Sequence, residues 1–384
     1  MEPLAVAALV AASICLASVV AVEWAVSVAI VEILAGVAAG NVFGIHGAPW
    51  LDFLAQFGGV LLTFLAGAEV DPGLLRSKLK PSLLLGGVSF LFPFLATAAF
   101  AAYVAHWTPR ASLIAGVALS TTSLAVVYAV LVETRLNATE IGKLIMAATF
   151  VTDIGTALAL SLLFAQPGWA TAAFIVASTL VILIAPRVLP RVFERYGARV
   201  IEPEIKLLFA ILFGFMLLAS LGKSHAVLPV FVLGLVLAPM FHRHRELQRK
   251  LRVVAFGAIT PFFFIKGGMN VSLGSLGPQL GLVLGFLAVK LAAKTVGVFP
   301  LARVHMPGAA IYTTLLMSTG LTFGTISSMY GLQAGLIDRV QFSMLLAVVI
   351  GSAVVPTLIA QRWFAPRLTS AEQEEVLARE EESM

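Results

Sequence analysis

Asp153 stands in the middle of the apolar run IMAATFVTDIGTALALSLL (145–163), and no other aspartate lies so deep in such a run. A carboxylate there can hold a proton or a hard monovalent cation, but not both at once. A site of that kind couples the two fluxes. Thr152 precedes it and supplies a second oxygen. The other ionisable groups within apolar runs are Glu32, Lys266, Lys290 and Lys294, with Glu69 at the end of another. A charge at membrane depth is costly, which makes each a functional candidate. Lys290 and Lys294 are four residues apart in GFLAVKLAAKTVGV and share a helix face. Either can pair with Asp153 or neutralise the end of a broken helix. Snorkelling to an interface is the plainer account of Lys266, and a competing one for Lys290. Glu32 and Glu69 are accessory candidates.

Two hydroxyl clusters mark where helices would break. One is Ser120, Thr121, Thr122 and Ser123; the other is Ser318, Thr319, Gly320, Leu321 and Thr322, followed by Thr325, Ser327 and Ser328. Such hydroxyls can simply bond back to the carbonyl one turn earlier. Their positions along the chain say more.

The elements that must carry these residues are membrane helices. The chain has 384 residues, 60% hydrophobic and 12% charged, about half the usual charged fraction of a soluble domain. Apolar runs long enough to cross a core of about 30 Å recur at 4–21, 27–44, 53–69, 83–105, 111–132, 141–165, 169–187, 206–221, 225–241, 252–270, 278–301, 308–330 and 340–361. These thirteen spans predict an all-α polytopic membrane protein. The two hydroxyl clusters then fall seven spans apart, each in the fifth span of a six-span repeat. An odd offset inverts one repeat against the other. Interrupted spans at matching places in inverted halves point to a transporter binding site at the membrane midplane.

The net charge of +5 is topological, so nucleic acid is not an expected partner. Arg76, Lys78, Lys80, Arg135, Lys143, the run from Arg187 to Lys206, the run from Arg243 to Arg252, Arg303, Arg362 and Arg367 fall in alternate loops, whereas the opposite loops hold Arg110, Lys223 and Arg339. Basic loops stay cytoplasmic, which predicts an external N-terminus and a cytoplasmic C-terminus. Cys15 is the only cysteine, so an intrachain disulfide is excluded. The start, Met-Glu-Pro-Leu, lacks the basic region of a cleaved signal. No phosphate loop or nucleophile elbow is present; no cofactor is expected and enzyme chemistry is not. An intramembrane aspartyl protease needs two facing carboxylates. A passive channel is a further rival, which saturable counterflow against proton movement would exclude. The polar tail from about 365 and the His242/His244 pair read as solvated segments.

In order along the chain, VEILAGVAAG, LLTFLAGAEVDP, TSLAVVYAVLVE, ATFVTDIGTALAL, TPFFFIKGGMNVSL, AAKTVGVF and MSTGLTFGTISSMYGLQAG resemble the monovalent cation:proton antiporter-2 family, with its bacterial sodium/proton exchanger fold. The match runs over about 20–360. The resemblance implies a sodium(or potassium)/proton antiporter of the inner membrane. It implies a homodimer working by an elevator-type alternation, with two crossed discontinuous helices. It implies a dimerisation domain (1–80 and 206–270), a core domain (81–165 and 276–362), a linker helix and loop (166–205) and a short tail (363–384). Asp153 sits at the ion-binding carboxylate, Lys294 at the core lysine, Glu32 and Glu69 at acidic motif positions, and Ser318, Thr319 and Thr322 line the second crossed helix. Many relatives carry a second acid or an amide where this chain has Thr152. One carboxylate favours one cation per proton. Potassium relatives of the efflux type carry a nucleotide-binding domain that is not expected here.

Overall fold

The computed structural model describes residues 3–24, 27–45, 48–137, 139–164, 168–196, 201–222 and 224–366. The charged tail from 367, with His46, Arg199 and Lys223, lies outside the described residues. Every regular element among the described residues is helical. The first eight helices are α1 (Pro3–Glu23), α2 (Val28–Asn41), α3 (Pro49–Ala68), α4 (Pro72–Ser77), α5 (Leu79–Tyr103), α6 (Pro109–Ser120), α7 (Leu124–Glu133) and α8 (Glu140–Leu163). Then come α9 (Trp169–Tyr196), α10 (Pro203–Leu221), α11 (Val227–Arg243), α12 (Arg245–Val254) and α13 (Thr260–Met269). The last five are α14 (Leu273–Leu276), α15 (Leu280–His305), α16 (Ala310–Met317), α17 (Thr322–Gln333) and α18 (Arg339–Trp363).

Eleven helical segments are long and apolar enough to cross a membrane, counting α6–α7, α12–α13 and α16–α17 as one segment each. The other two predicted spans are α2 and α11, apolar helices of 14 and 17 residues. At 1.5 Å per residue they reach about 21 and 26 Å, less than the full hydrocarbon thickness. Helix starts follow local chemistry. Proline opens α3, α6 and α10, where its missing N–H costs nothing. Thr108 caps α6 through Ala111 N–H, and Asp338 with Gln341 forms a capping box on α18.

The chain divides into two compact units, Met1–Pro72 with Ala157–Leu273 and Gly73–Thr156 with Gly274–Met384. In the first, α2 packs on α13 and α3 on α11 at backbone distance. Gly36 faces the Ile265 carbonyl and Gly268 the Ile33 carbonyl; Gly67 faces the Phe231 carbonyl and Gly234 the Phe64 carbonyl. Each pair thus has a glycine on both sides, the small-residue route to close helix approach in a membrane. Gly36→Ala puts a methyl onto a main-chain carbonyl that has no room to yield. We expect it to cost about 1–3 kcal/mol, read as a lower thermal midpoint. Gly87→Ala on α5, where a Cβ meets nothing within 4 Å, should leave the midpoint unchanged or slightly raised.

In the second unit both hydroxyl clusters interrupt a helix. The chain leaves α6 after Ser120, runs extended through Thr121 (ψ 160°) and Ser123 (ψ 111°), and re-enters helix at Leu124. It leaves α16 after Met317 and re-enters at Thr322. Hydroxyl side chains give the freed backbone groups alternative partners, which is what lets a helix stop inside an apolar core. Around the second break, Tyr312, Leu316 and Met317 of α16 pack with Val127 and Leu131 of α7, Ile145 and Ala148 of α8 and Val298 of α15.

Candidate functional site

The two breaks are stitched to each other and to α8. Thr122 donates its hydroxyl proton to the Met317 carbonyl at 2.9 Å, and the Ser123 amide donates to the Thr319 hydroxyl at 3.4 Å. The Thr122 amide donates to Thr152 Oγ1 at 3.2 Å, while the Thr152 hydroxyl donates to the Thr149 carbonyl. Thr152 is therefore a tie from α8 to the first break, as well as an oxygen beside Asp153. Thr319 donates to the Leu316 carbonyl, Ser318 to Thr314 and Ser120 to Val117. Thr121 makes only a long contact, 3.4 Å, to the next carbonyl. Donating a proton to a carbonyl leaves hydroxyl lone pairs free to face a cation. Ser123 is the exception: the residue is 1% exposed and its hydroxyl has no hydrogen-bond partner among the described residues.

Asp153 is buried on α8, one residue after the tie at Thr152. Its carboxylate acts electrostatically on Lys294. Both lysines of α15 are fully buried, so Lys290 does not snorkel. Lys294 donates to Ser89 Oγ at 2.8 Å and to Thr122 Oγ1 at 3.0 Å. Lys290 donates to Ser352 Oγ at 2.8 Å. A Cβ on Gly320 would lie 2.6 Å from the Lys290 ammonium and 2.9 Å from the Thr121 carbonyl. Each lysine therefore stands at a different break. Lys294 is just past the carbonyl end of α6, and Lys290 is just past that of α16. Those ends carry partial negative charge, so a cation belongs there.

This assembly is oxygen-rich, buried and carries few charged groups. It offers one carboxylate, two ammonium groups, several hydroxyls and the carbonyl ends of two half-helices. It can hold a small hard cation or a proton at the carboxylate without ligands from any cofactor. Thr322, the first residue of α17, is half-buried at the edge of the second break.

Residues 6–365 match the family model described as "Sodium/hydrogen exchanger, transmembrane". The chain belongs to that family. Its relatives include the probable Na(+)/H(+) antiporter 3 of Methanocaldococcus jannaschii, 26% identical over 83% of this chain and 84% of that protein. The Na(+)/H(+) antiporter NhaS4 of Synechocystis sp. is 27% identical, over 83% of each. The solved structure of the sodium proton antiporter MjNhaP1 from M. jannaschii superposes with a TM-score of 0.68. It covers 96% of this chain and 100% of that one at 16% identity, and so shows the exchanger fold. These relatives are transporters, as the sequence led us to expect, and not enzymes. The chain is a multi-pass membrane protein of the cation:proton antiporter class.

The remaining candidates, Glu32, Glu69 and Lys266, lie in the first unit, whereas Asp153 belongs to the second. Glu32 is buried on α2. Glu69 closes α3 and takes a two-point bond from Arg252, with both nitrogens at 2.8 Å. Lys266 is not a solitary snorkelling lysine: it pairs with Asp52 in the first turn of α3 at 2.7 Å. Arg252 reads in the sequence as one charge of a basic loop, and neither it nor Asp52 is marked there as the partner of Glu69 or Lys266. Ser89 and Ser352 are silent in the sequence for a different reason. A lone serine in an apolar helix gives no signal until the lysine it serves is placed.

Proposed function

We propose that this exchanger swaps a monovalent cation, sodium foremost, for a proton by alternating access, with Asp153 as the shared site. The observation that carries the reading is the buried Asp153 on α8, tied through Thr152 to the first break and acting on Lys294. The names of the relatives favour sodium. Oxygen ligands alone would serve potassium too. Ser123, with its uncommitted hydroxyl, and the lone pairs of Ser120, Thr121, Thr122 and Thr152 are the first oxygens offered to the ion or its water. Ser318, Thr319 and Thr322 line the second break opposite. Lys294 and Lys290 balance charge. All these residues belong to the second unit, to which we assign ion carriage in an elevator-type cycle; dimer formation falls to the first. The basic loops set the cytoplasmic side of the inner membrane.

One carboxylate that trades one cation for one proton moves no net charge. In proteoliposomes given each alkali cation in turn, we expect sodium to drive the fastest proton flux, at a rate indifferent to an imposed membrane potential. A rate that tracks voltage defeats the one-for-one exchange. Flux driven best by potassium transfers the assignment to the potassium/proton reading.

A further inference from the structure

A concave site far from the breaks in sequence is built only from the first unit. Phe193 and Glu194 at the end of α9, Glu204 in the first turn of α10, Arg243 at the end of α11, and Arg245 and Lys250 of α12 enclose about 450 Å³, with His244, Glu246 and Leu247 between them. That is the size of an ordinary small-ligand site. All four helices meet here through the loops that carry the basic surplus of the chain.

Its charges are left over in a particular way. Lys250 is already spent, paired with Glu202 at 2.8 Å and Glu246 at 3.5 Å. Arg243 and Arg245 are exposed and make no ion pair among the described residues. Glu204 is 3% exposed, and its Oε2 has no hydrogen-bond partner among the described residues. A buried carboxylate oxygen without a donor is a debt of free energy. The positive N-terminus of α10 offsets part of it. The two guanidiniums have not closed onto Glu204 to settle the rest. The site thus has a buried acceptor at its wall and unmatched cations at its mouth.

We propose that this cavity binds a small zwitterion in which a phosphate is joined to a primary ammonium. The phosphate would take the forked guanidiniums of Arg243 and Arg245, which suit it geometrically. The ammonium would donate to Glu204. Phosphate plus ammonium is the chemistry of an ethanolamine phospholipid headgroup and of its free glycerol ester. The proposal does not rest on transport.

The test uses the purified full-length chain in detergent and reads its thermal midpoint. We expect glycerophosphoethanolamine to raise the midpoint saturably, while glycerophosphate or ethanolamine alone does not. Glu204→Gln should weaken that response at least tenfold, with an unliganded midpoint near wild type. The double variant Arg243→Gln/Arg245→Gln is the second arm should Glu204→Gln fold poorly. Vesicles of phosphatidylethanolamine and phosphatidylglycerol, against phosphatidylcholine and phosphatidylglycerol, separate the sources. A response confined to the ethanolamine vesicles makes the occupant a lipid headgroup; a response to the soluble ester as well makes it a free ligand too. A response to glycerophosphate equal to that of the zwitterion, no saturable response to either source, or a full response in both variants overturns the proposal.

Discussion

Replacing Asp153 by asparagine is expected to bring sodium-dependent proton flux down to that of empty liposomes, with the protein still folded. The amide keeps the size and the hydrogen-bonding reach of the carboxylate. It can neither take up the transported proton nor offer a charge to the cation. No other acid of the second unit lies so deep among the described residues: Glu133 bonds Gln361 at an exposed position, and Glu140 pairs with Lys78 and Lys143 at the start of α8. The fold should tolerate the change, because ties through Thr122, Thr152 and Thr319 hold the breaks and the amide fills the same space as the carboxylate. The measurement is proton flux in proteoliposomes beside the thermal midpoint of the same preparation. A wild-type midpoint with retained flux removes Asp153 from the mechanism. Asp153→Glu sharpens the test. It keeps the charge but lengthens the arm in a packed site, so a slowed but measurable exchange is expected there.

Much of this arrangement was legible before any coordinates. Apolar runs and basic loops located the helices, because membrane burial forces every backbone bond inside the segment and leaves composition to report the span. The breaks were legible for a related reason. Four consecutive hydroxyls in an apolar helix have little to do unless the backbone needs them. Bounds were harder: α2 is shorter than its apolar run, since flanking residues such as Val42 and Phe43 are as apolar as the helix but lie outside it, and α11 keeps the length of its run but sits two residues later. Pairings were not legible at all. Nothing in GGVSFLF singles out Ser89 as the partner of Lys294, and nothing in PWLDFL marks Asp52 as the partner of Lys266. The glycine contacts at Gly36, Gly67, Gly234 and Gly268 were equally silent, because glycine is common throughout this chain. Side-chain identity announces a charge or a hydroxyl; only the crossing of helices decides which other group receives it. The same limit applies to Thr152. In the sequence it is an oxygen next to a carboxylate. In the structure it is first a bridge between the Thr149 carbonyl and the Thr122 amide.

The second large effect is expected at Lys294, and it separates charge from hydrogen bonding. Lys294→Gln keeps donors for Ser89 and Thr122 and loses only the ammonium; Lys294→Met loses both. If the ammonium serves chiefly as the counter-charge of Asp153, the two variants should fail alike. The buried carboxylate then loses that counter-charge, the proton outcompetes the cation, and the KM for sodium rises by about tenfold or more at neutral pH, the equivalent of about 1.4 kcal/mol. The deficit should shrink as pH is raised and competing protons become scarce. Should the ammonium serve chiefly to hold the first break, glutamine would rescue what methionine loses, and the thermal midpoint would follow the same order. Lys290 supplies the internal comparison. It is equally buried and lies one turn away on the same face, but it bonds Ser352 and stands at the second break. Lys290→Gln is therefore expected to slow turnover without the rise in KM, because the group it touches is not the ion's ligand. Equal KM in wild type, Lys294→Gln and Lys294→Met would remove Lys294 from charge balance altogether. An equal rise in KM from Lys290→Gln would show that the two ammonium groups act as one pooled charge. The separation of roles between the two breaks rests on that difference.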